Sequence, residues 1–453
     1  MRTRLASTTA LGLRPWLAAL VLAPFAVTGA FAQTAPAPAT PAPATPAPAA
    51  APAAAPATPA PPAAWVDGIK FDAQFEGGIS INTASPSNGE NFGQLYTDHS
   101  NTFQLNQAMV TVQRATDPKS EYDVGFALQA LYGTDGRYLH YVGVWDRSYD
   151  TTYQPALIQA NVAVHTPWLF ASGIDFKVGM YPTPIGYEVI DPSQNQFYSH
   201  SYIYNFGVPT LATGGYMVAH VNGMIDIYLG VDSGVNTSLG PYSGDNNSSY
   251  SGMGGFNLTL LGGNLTILAL THFGPENPGN TVPLANRYNR YIADSVITWK
   301  ATDKLTLTGE LDYIHDDNPF IGQPTAYGGS AYASYALTDT LTLNGRFEVF
   351  DDENGFFVTA FPGNNDFAVS QGGYAPPNTT YGTGKGTTYS ELTLGVTYKP
   401  AGLPAPISAL LIRPEIRYDT TLNGVKAFNG PSTTGAGKDT GVLTLAADFV
   451  LTF

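Results

Sequence analysis

Residues 302–312 read Thr302-Asp303-Lys304-Leu305-Thr306-Leu307-Thr308-Gly309-Glu310-Leu311-Asp312, and 36 positions later the chain repeats the phrase as Thr338-Asp339-Thr340-Leu341-Thr342-Leu343-Asn344-Gly345-Arg346-Phe347-Glu348. Each copy opens on a tight Thr-Asp turn and continues as strict alternation. Leu305, Leu307 and Leu311 fall on one face; Thr306, Thr308, Glu310 and Asp312 fall on the other. A period of two marks a strand with one apolar and one polar side. Repeats of this length can also build solenoids or propeller blades. Here the unit is two long strands with one short and one long connection, a hairpin of a barrel.

The same alternation extends in both directions. Phe71, Ala73, Phe75, Ile79 and Ile81 oppose Lys70, Asp72, Gln74, Glu76, Ser80 and Asn82; at the other end Leu443, Leu445, Ala447, Phe449, Leu451 and Phe453 oppose Thr444, Asp448 and Thr452. Strands are predicted at 69–82, 103–114, 121–132, 156–165, 173–181, 213–221, 223–231, 252–261, 264–273, 288–299, 304–316, 328–337, 340–352, 386–399, 408–420 and 440–453. Long and short gaps between them alternate along the whole chain, as short turns and long external loops do in outer-membrane barrels. Lipid offers no partner for a backbone amide, so a spanning sheet has to close on itself. The expected fold is therefore all-β, a transmembrane antiparallel β-barrel of about sixteen strands, with apolar side chains toward lipid and polar ones toward the interior.

Composition agrees. The 453 residues include 12% charged and 12% aromatic residues, 48 Gly, 35 Pro and no Cys, against roughly 25% charge in soluble domains. The absence of cysteine removes disulfides, thiolate zinc sites and cysteine nucleophiles. A net charge of −15 argues against a nucleic-acid partner, which needs clustered Lys and Arg.

Three segments are expected. Arg2, Arg4 and Arg14, the apolar stretch Trp16 to Val27 and the small-x-small site Ala30-Phe31-Ala32 read as a secretory signal over 1–32. Residues 33–64 are almost wholly Ala, Pro and Thr, a disordered linker that cannot bury a core. The barrel takes 65–453.

The run Val178-Gly179-Met180-Tyr181-Pro182-Thr183-Pro184-Ile185-Gly186-Tyr187-Glu188, followed by Asp191-Pro192, Asn195, Phe197-Tyr198-Ser199 and Pro209, resembles Gram-negative outer-membrane porins, most closely the β-barrel porin family described as OmpL-like. The resemblance covers about 66–453. It implies passive diffusion of small hydrophilic solutes or ions. The terminal Phe453 is similar to the signal by which the barrel-assembly machinery recognises its clients. Outer-membrane lipid and small solutes are thus the expected partners, with a homotrimer expected by analogy with sixteen-stranded general porins.

In such porins the third long loop narrows the lumen. Here that connection, 182–212, offers Glu188 and Asp191. Predicted inward positions offer Glu310, Asp312, Arg346 and Glu348, and Arg413, Glu415, Arg417 and Asp419 form a ladder of alternating charge, because residues two apart on a strand share a face. Two readings stand: the charges solvate the lumen and pair with one another, or Arg346, Arg413 and Arg417 face Glu188 and Asp191 across a constriction whose field sets ion preference. Asp316-Asp317 and Asp351-Asp352-Glu353 read as solvated loop acids, and the seven histidines show no metal-ligand spacing. Neither a catalytic residue nor a cofactor or metal site is expected. The rival functions are an outer-membrane enzyme and a structural or adhesive barrel.

Overall fold

The computed structural model describes residues 64–145, 152–239, 244–360, 385–430 and 437–453. The signal 1–32 and the linker 33–64 lie outside these residues, Ala64 excepted. The unit Gly68–Phe453 carries the barrel.

Its first eight strands are β1 (Lys70–Asn82), β2 (Thr102–Arg114), β3 (Asp123–Gly133), β4 (Gln154–Thr166), β5 (Ile174–Pro182), β6 (Leu211–Asn222), β7 (Ile225–Val235) and β8 (Ser251–Leu260). The second eight are β9 (Leu265–Gly274), β10 (Arg290–Lys300), β11 (Leu305–Asp316), β12 (Thr325–Ala336), β13 (Leu341–Asp352), β14 (Thr387–Tyr398), β15 (Ala409–Thr421) and β16 (Gly441–Thr452). Each pairs antiparallel with its sequence neighbours, and β1 pairs with β16 from Gln74↔Thr452 to Asn82↔Thr444, closing the barrel. All sixteen predicted strands are present, with ends within 4 residues of those read from the sequence.

The alternation resolves as an outside and an inside. Phe71, Val124, Leu128, Val162, Val178, Leu392 and Ile416 are exposed on the outer face, where a charge near the bilayer midplane costs about 2–4 kcal/mol. Trp168, Trp299 and Tyr398, at the end with the short turns, are also exposed outward and suit the interfacial aromatic belt. That end is periplasmic by the loop-length rule. The opposite strand faces bury Gln74, Glu76, Ser80 and Asn82 on β1 and Asn344, Arg346 and Glu348 on β13. A soluble sandwich would bury the apolar faces instead.

The external loops pack into a core of their own. Phe92, Tyr96, Leu139, Ile203, Phe356 and Phe428 belong to one buried cluster together with Phe350 and Tyr389 of the wall. This packing corrects the reading of the loop acids. Asp316, Asp351 and Asp352 are buried: Asp316 accepts from Arg290 Nε at 3.2 Å and Asn277 Nδ2 at 2.8 Å, and Asp352 accepts the backbone N–H groups of Phe356 and Val358 at 2.9 and 3.1 Å. They satisfy loop backbone and arginine donors that would otherwise be orphaned in the core. Glu353 alone of that triplet is exposed.

Candidate functional site

The connection between β5 and β6 turns inward and crosses the barrel. Its neck is closed by Thr183 N–H donating to Thr210 O at 3.0 Å. Pro182 and Pro184 hold the entry extended, and Gly186 takes φ +95°, a left-handed turn that suits glycine. Ile185 joins Met253 and Leu270 in a small apolar cluster, with Val208 packed against it, on the β8–β9 wall. Beyond this the loop is hydrogen-bonded to strands on either side of its roots. Tyr187 N–H donates to Glu310 Oε1 on β11 at 2.8 Å, Gln107 Nε2 on β2 donates to Ile190 O at 3.0 Å, and Gln74 Nε2 on β1 donates to Asp191 Oδ1 at 3.0 Å.

The expected ladder is where the loop is gripped. Arg413 Nη1 donates to Pro192 O at 2.7 Å and Asn195 O at 2.9 Å. Arg346 Nη1 donates to Ser199 O at 2.8 Å and Glu188 Oε1 at 2.7 Å, and Arg417 Nη1 donates to His200 O at 2.6 Å. Carboxylates take the loop's amides: Tyr198 and Ser199 N–H donate to Glu415 at 2.9 and 3.2 Å, Tyr202 and Ile203 N–H to Glu348 at 2.6 and 2.8 Å. Tyr202 Oη donates to Asp419 Oδ1 at 3.0 Å, and its ring stacks on Tyr389 with centroids 5.1 Å apart. Loop and wall thus exchange charge-assisted hydrogen bonds, roughly twice as strong as neutral ones.

The arginines are also paired along the wall. Arg346 Nε lies 2.6 Å from Glu391 Oε1, Arg417 Nη2 2.6 Å from Asp419 Oδ1, and Arg413 bonds Asp448 and, at 3.1 Å, Glu76. Register explains this geometry. Glu348, Glu391 and Asp419 lie in one row across β13–β15, with Arg346 and Arg417 in the next row at either side of Thr393. Each guanidinium therefore sits diagonally between carboxylates on the same face. The three arginine side chains are 0–1% exposed, so wall and loop together enclose them.

Glu188 lies outside the spanning strands. Burial pushes its carboxyl up, but the Arg346 guanidinium and the His200 ring at 2.6 Å more than offset this and hold it at about 2. It is charged at neutral pH.

The ten expected residues converge unequally. Glu188, Glu310, Arg346, Glu348, Arg413, Glu415, Arg417 and Asp419 all touch the loop or belong to it with wall partners. Asp191 meets no arginine side chain among the described residues; it caps the short turn Pro192–Gln194 and accepts from Gln74. Asp312 approaches the loop at Gly207, and neither of its carboxylate oxygens has a hydrogen-bond partner among the described residues. Neither sequence reading anticipates that most of these charges bind loop backbone. Glu76, Glu391, Asp448 and His200 complete the arrangement and were not singled out, because their roles depend on cross-strand register or on the loop's path. Gly78 and Gly328 were missed as well: a Cβ would sit 2.7 Å from the Tyr198 ring at the first and 2.5 Å from Ile203 Cγ1 at the second. Among the described residues no group of three or more His, Cys, Asp or Glu is arranged to hold a metal ion.

The family model described as "Putative beta-barrel porin-2, OmpL-like" matches residues 68–453. Among solved structures, the chain is similar to an anion-selective porin from Comamonas acidovorans, with 10% identity, TM-score 0.53, and coverage of 85% of this chain and 99% of that one. The outer membrane channel DcaP of Acinetobacter baumannii gives 10% identity, TM-score 0.51 and coverage of 85% and 97%. OprB of Pseudomonas putida gives 12%, 0.50, and 86% and 95%. A search of curated proteins finds no match. At such identities the structures speak for the fold, while the family match spans the whole barrel. The chain belongs to the OmpL-like β-barrel porins of the bacterial outer membrane.

Proposed function

We propose that this porin is a diffusion channel rather than an enzyme, that the loop 183–210 is its constriction, and that it passes cations ahead of anions. One observation carries the reading: the loop crosses the interior, bonded on its way to β1, β2 and β11 and held across from its roots by β13 and β15. A cross-section so divided is narrow enough for charge at its rim to act on every ion that passes.

The sign follows from the charges around the loop. Glu76, Glu188, Glu348, Glu391, Glu415, Asp419 and Asp448 surround Arg346, Arg413 and Arg417. Carboxylates outnumber guanidiniums, so the local potential attracts cations. The similar porin from Comamonas acidovorans is anion-selective, which makes this a sharp test. Purified protein in planar bilayers under a KCl gradient should show discrete conductance steps with a cation-selective reversal potential. Anion selectivity overturns the sign, and absence of steps overturns the channel.

The exposed apolar band supports lipid contact, and we extend the reading to insertion by the barrel-assembly machinery through Phe453 and to assembly as a homotrimer. Cross-linking in intact membranes reads the oligomer directly.

A further inference from the structure

The short-turn end of the barrel carries a second set of charges that the loop never reaches. His165 Nδ1 on β4 lies 2.6 Å from Asp175 Oδ1 on β5. The other oxygen of Asp175 lies 3.3 Å from His220 Nε2 on β6, and His220 Nδ1 lies 2.8 Å from Asp226 Oδ1 on β7. Asn257 Nδ2 on β8 donates to the remaining oxygen of Asp226 at 3.3 Å. The result is an unbroken polar chain over five neighbouring strands. Lys177, two residues along β5 from Asp175, lies 5.5 Å from the centre of the Tyr216 ring.

These groups differ from the gripped arginines in one decisive respect. The side chains of Asp175, His220 and Asp226 are 32%, 27% and 25% exposed. An open cavity of about 400 Å³ lies beside them, lined by His220, Asp226 and turn residues including Pro118, Ser172, Asn222 and Gly223. Ions at this mouth meet the carboxylates without displacing protein.

His220 has a carboxylate at each ring nitrogen. A neutral imidazole carries one N–H and one lone pair, so only the doubly protonated ring satisfies both contacts. When it loses its proton to the lumen water, one nitrogen lone pair is left facing a carboxylate and a positive charge disappears from between two negative ones. His165, itself only 4% exposed, places a second imidazole against Asp175. Lys177, Tyr216 and Tyr228 are the other ionisable side chains that border this chain on β5, β6 and β7.

We propose that Asp175, His220 and Asp226, with His165, form a second selectivity element at the periplasmic mouth, whose charge changes sign with periplasmic pH. With both histidines protonated, Lys177, His165 and His220 outweigh Asp175 and Asp226 by one charge. With both neutral, the two aspartates outweigh Lys177 by one. Histidine titrates between about pH 5 and 8, so inorganic cations and amine-bearing solutes should be favoured as pH rises through this window. The proposal rests on the channel reading above.

The test uses the full chain in planar bilayers under a KCl gradient, with the pH changed on one side at a time. Raising the pH on the short-turn side should increase the cation-to-anion permeability ratio at least about twofold, and the same change on the other side should do less. His220→Gln, which keeps a hydrogen-bonding amide without the titratable ring, should remove most of the response, and Asp226→Asn should lower the ratio at high pH. A heat-modifiable gel shift establishes that each variant forms the barrel. Conductance steps with a ratio indifferent to periplasmic pH, or an undiminished response in His220→Gln, overturn the inference and leave the channel standing. Absence of steps overturns both.

Discussion

Two walls of one barrel use the same residue types for different ends. On β13–β15, Arg346, Arg413 and Arg417 are shut away beneath the loop and pair with Glu391, Asp448 and Asp419. On β4–β7, the chain that starts at the buried His165 runs through the partly exposed Asp175 to His220 and Asp226, which line open space. Both sets occupy inward strand positions, and nothing in the alternation tells them apart. What separates them is whether a loop lies on top. A covered charge must be matched hydrogen bond by hydrogen bond, since a buried ion left unpaired is costly. An uncovered one retains its water and meets passing ions directly, where a covered one acts on them only through its field.

The contrast can be broken most forcefully at the clasp. Arg346→Ala leaves Glu188 and Glu391 buried without their shared partner, which should cost about 3–5 kcal/mol, read as a lower denaturant midpoint for loss of the folded gel form. Asp226→Asn on the open wall should cost no more than about 1 kcal/mol. Equal losses would erase the distinction between the walls. A smaller effect is expected where the loop is seated by absence of a side chain. Gly328→Val drives its new atoms into Ile203, an overpacking cost of about 1–3 kcal/mol, and should change single-channel conductance by displacing the loop; unchanged conductance would mean that the loop does not set the passage.

The gentlest probe is acid. Glu188 sits at about 2 when folded, below the ordinary glutamate value of about 4.3. Its contribution to holding the loop is therefore complete above that ordinary value and is lost as pH falls from there toward 2. Loop anchoring, followed as conductance noise, should be steady from neutral pH down to about 5 and loosen only below about 4. Loosening already at pH 6 would assign the hold to other groups.

Much of this was legible beforehand because a strand's period is two. Alternation placed all sixteen strands, and it put Arg346, Glu348, Arg413, Glu415, Arg417 and Asp419 on the inside without any knowledge of partners. Pairing was not legible. Arg346 meets Glu391 because β13 and β14 run Glu348↔Glu391, and a slip of one residue would have sent Glu391 toward lipid. The loop's direction was hidden as well, for its strongest signs are the missing side chains of Gly78 and Gly328, which read in sequence as ordinary strand glycines. The acids at Asp316 and Asp352 were misjudged for a related reason: composition marks them as loop residues, while burial depends on what the loops fold against.

The inward loop has a mechanical consequence. A cylinder of sixteen strands without covalent cross-links resists stretching along its hydrogen bonds but is soft to flattening into an oval, a distortion that changes no strand register. The loop is fixed at one end to β5 and β6 and at the other to β13 and β15 by donors on Arg346, Arg413 and Arg417. It acts as a tie rod across the diameter. Flattening the cylinder along or across that line has to buckle the tie or break it, so the tie opposes ovalisation, and it can do so only once the far wall is in place to receive the rod.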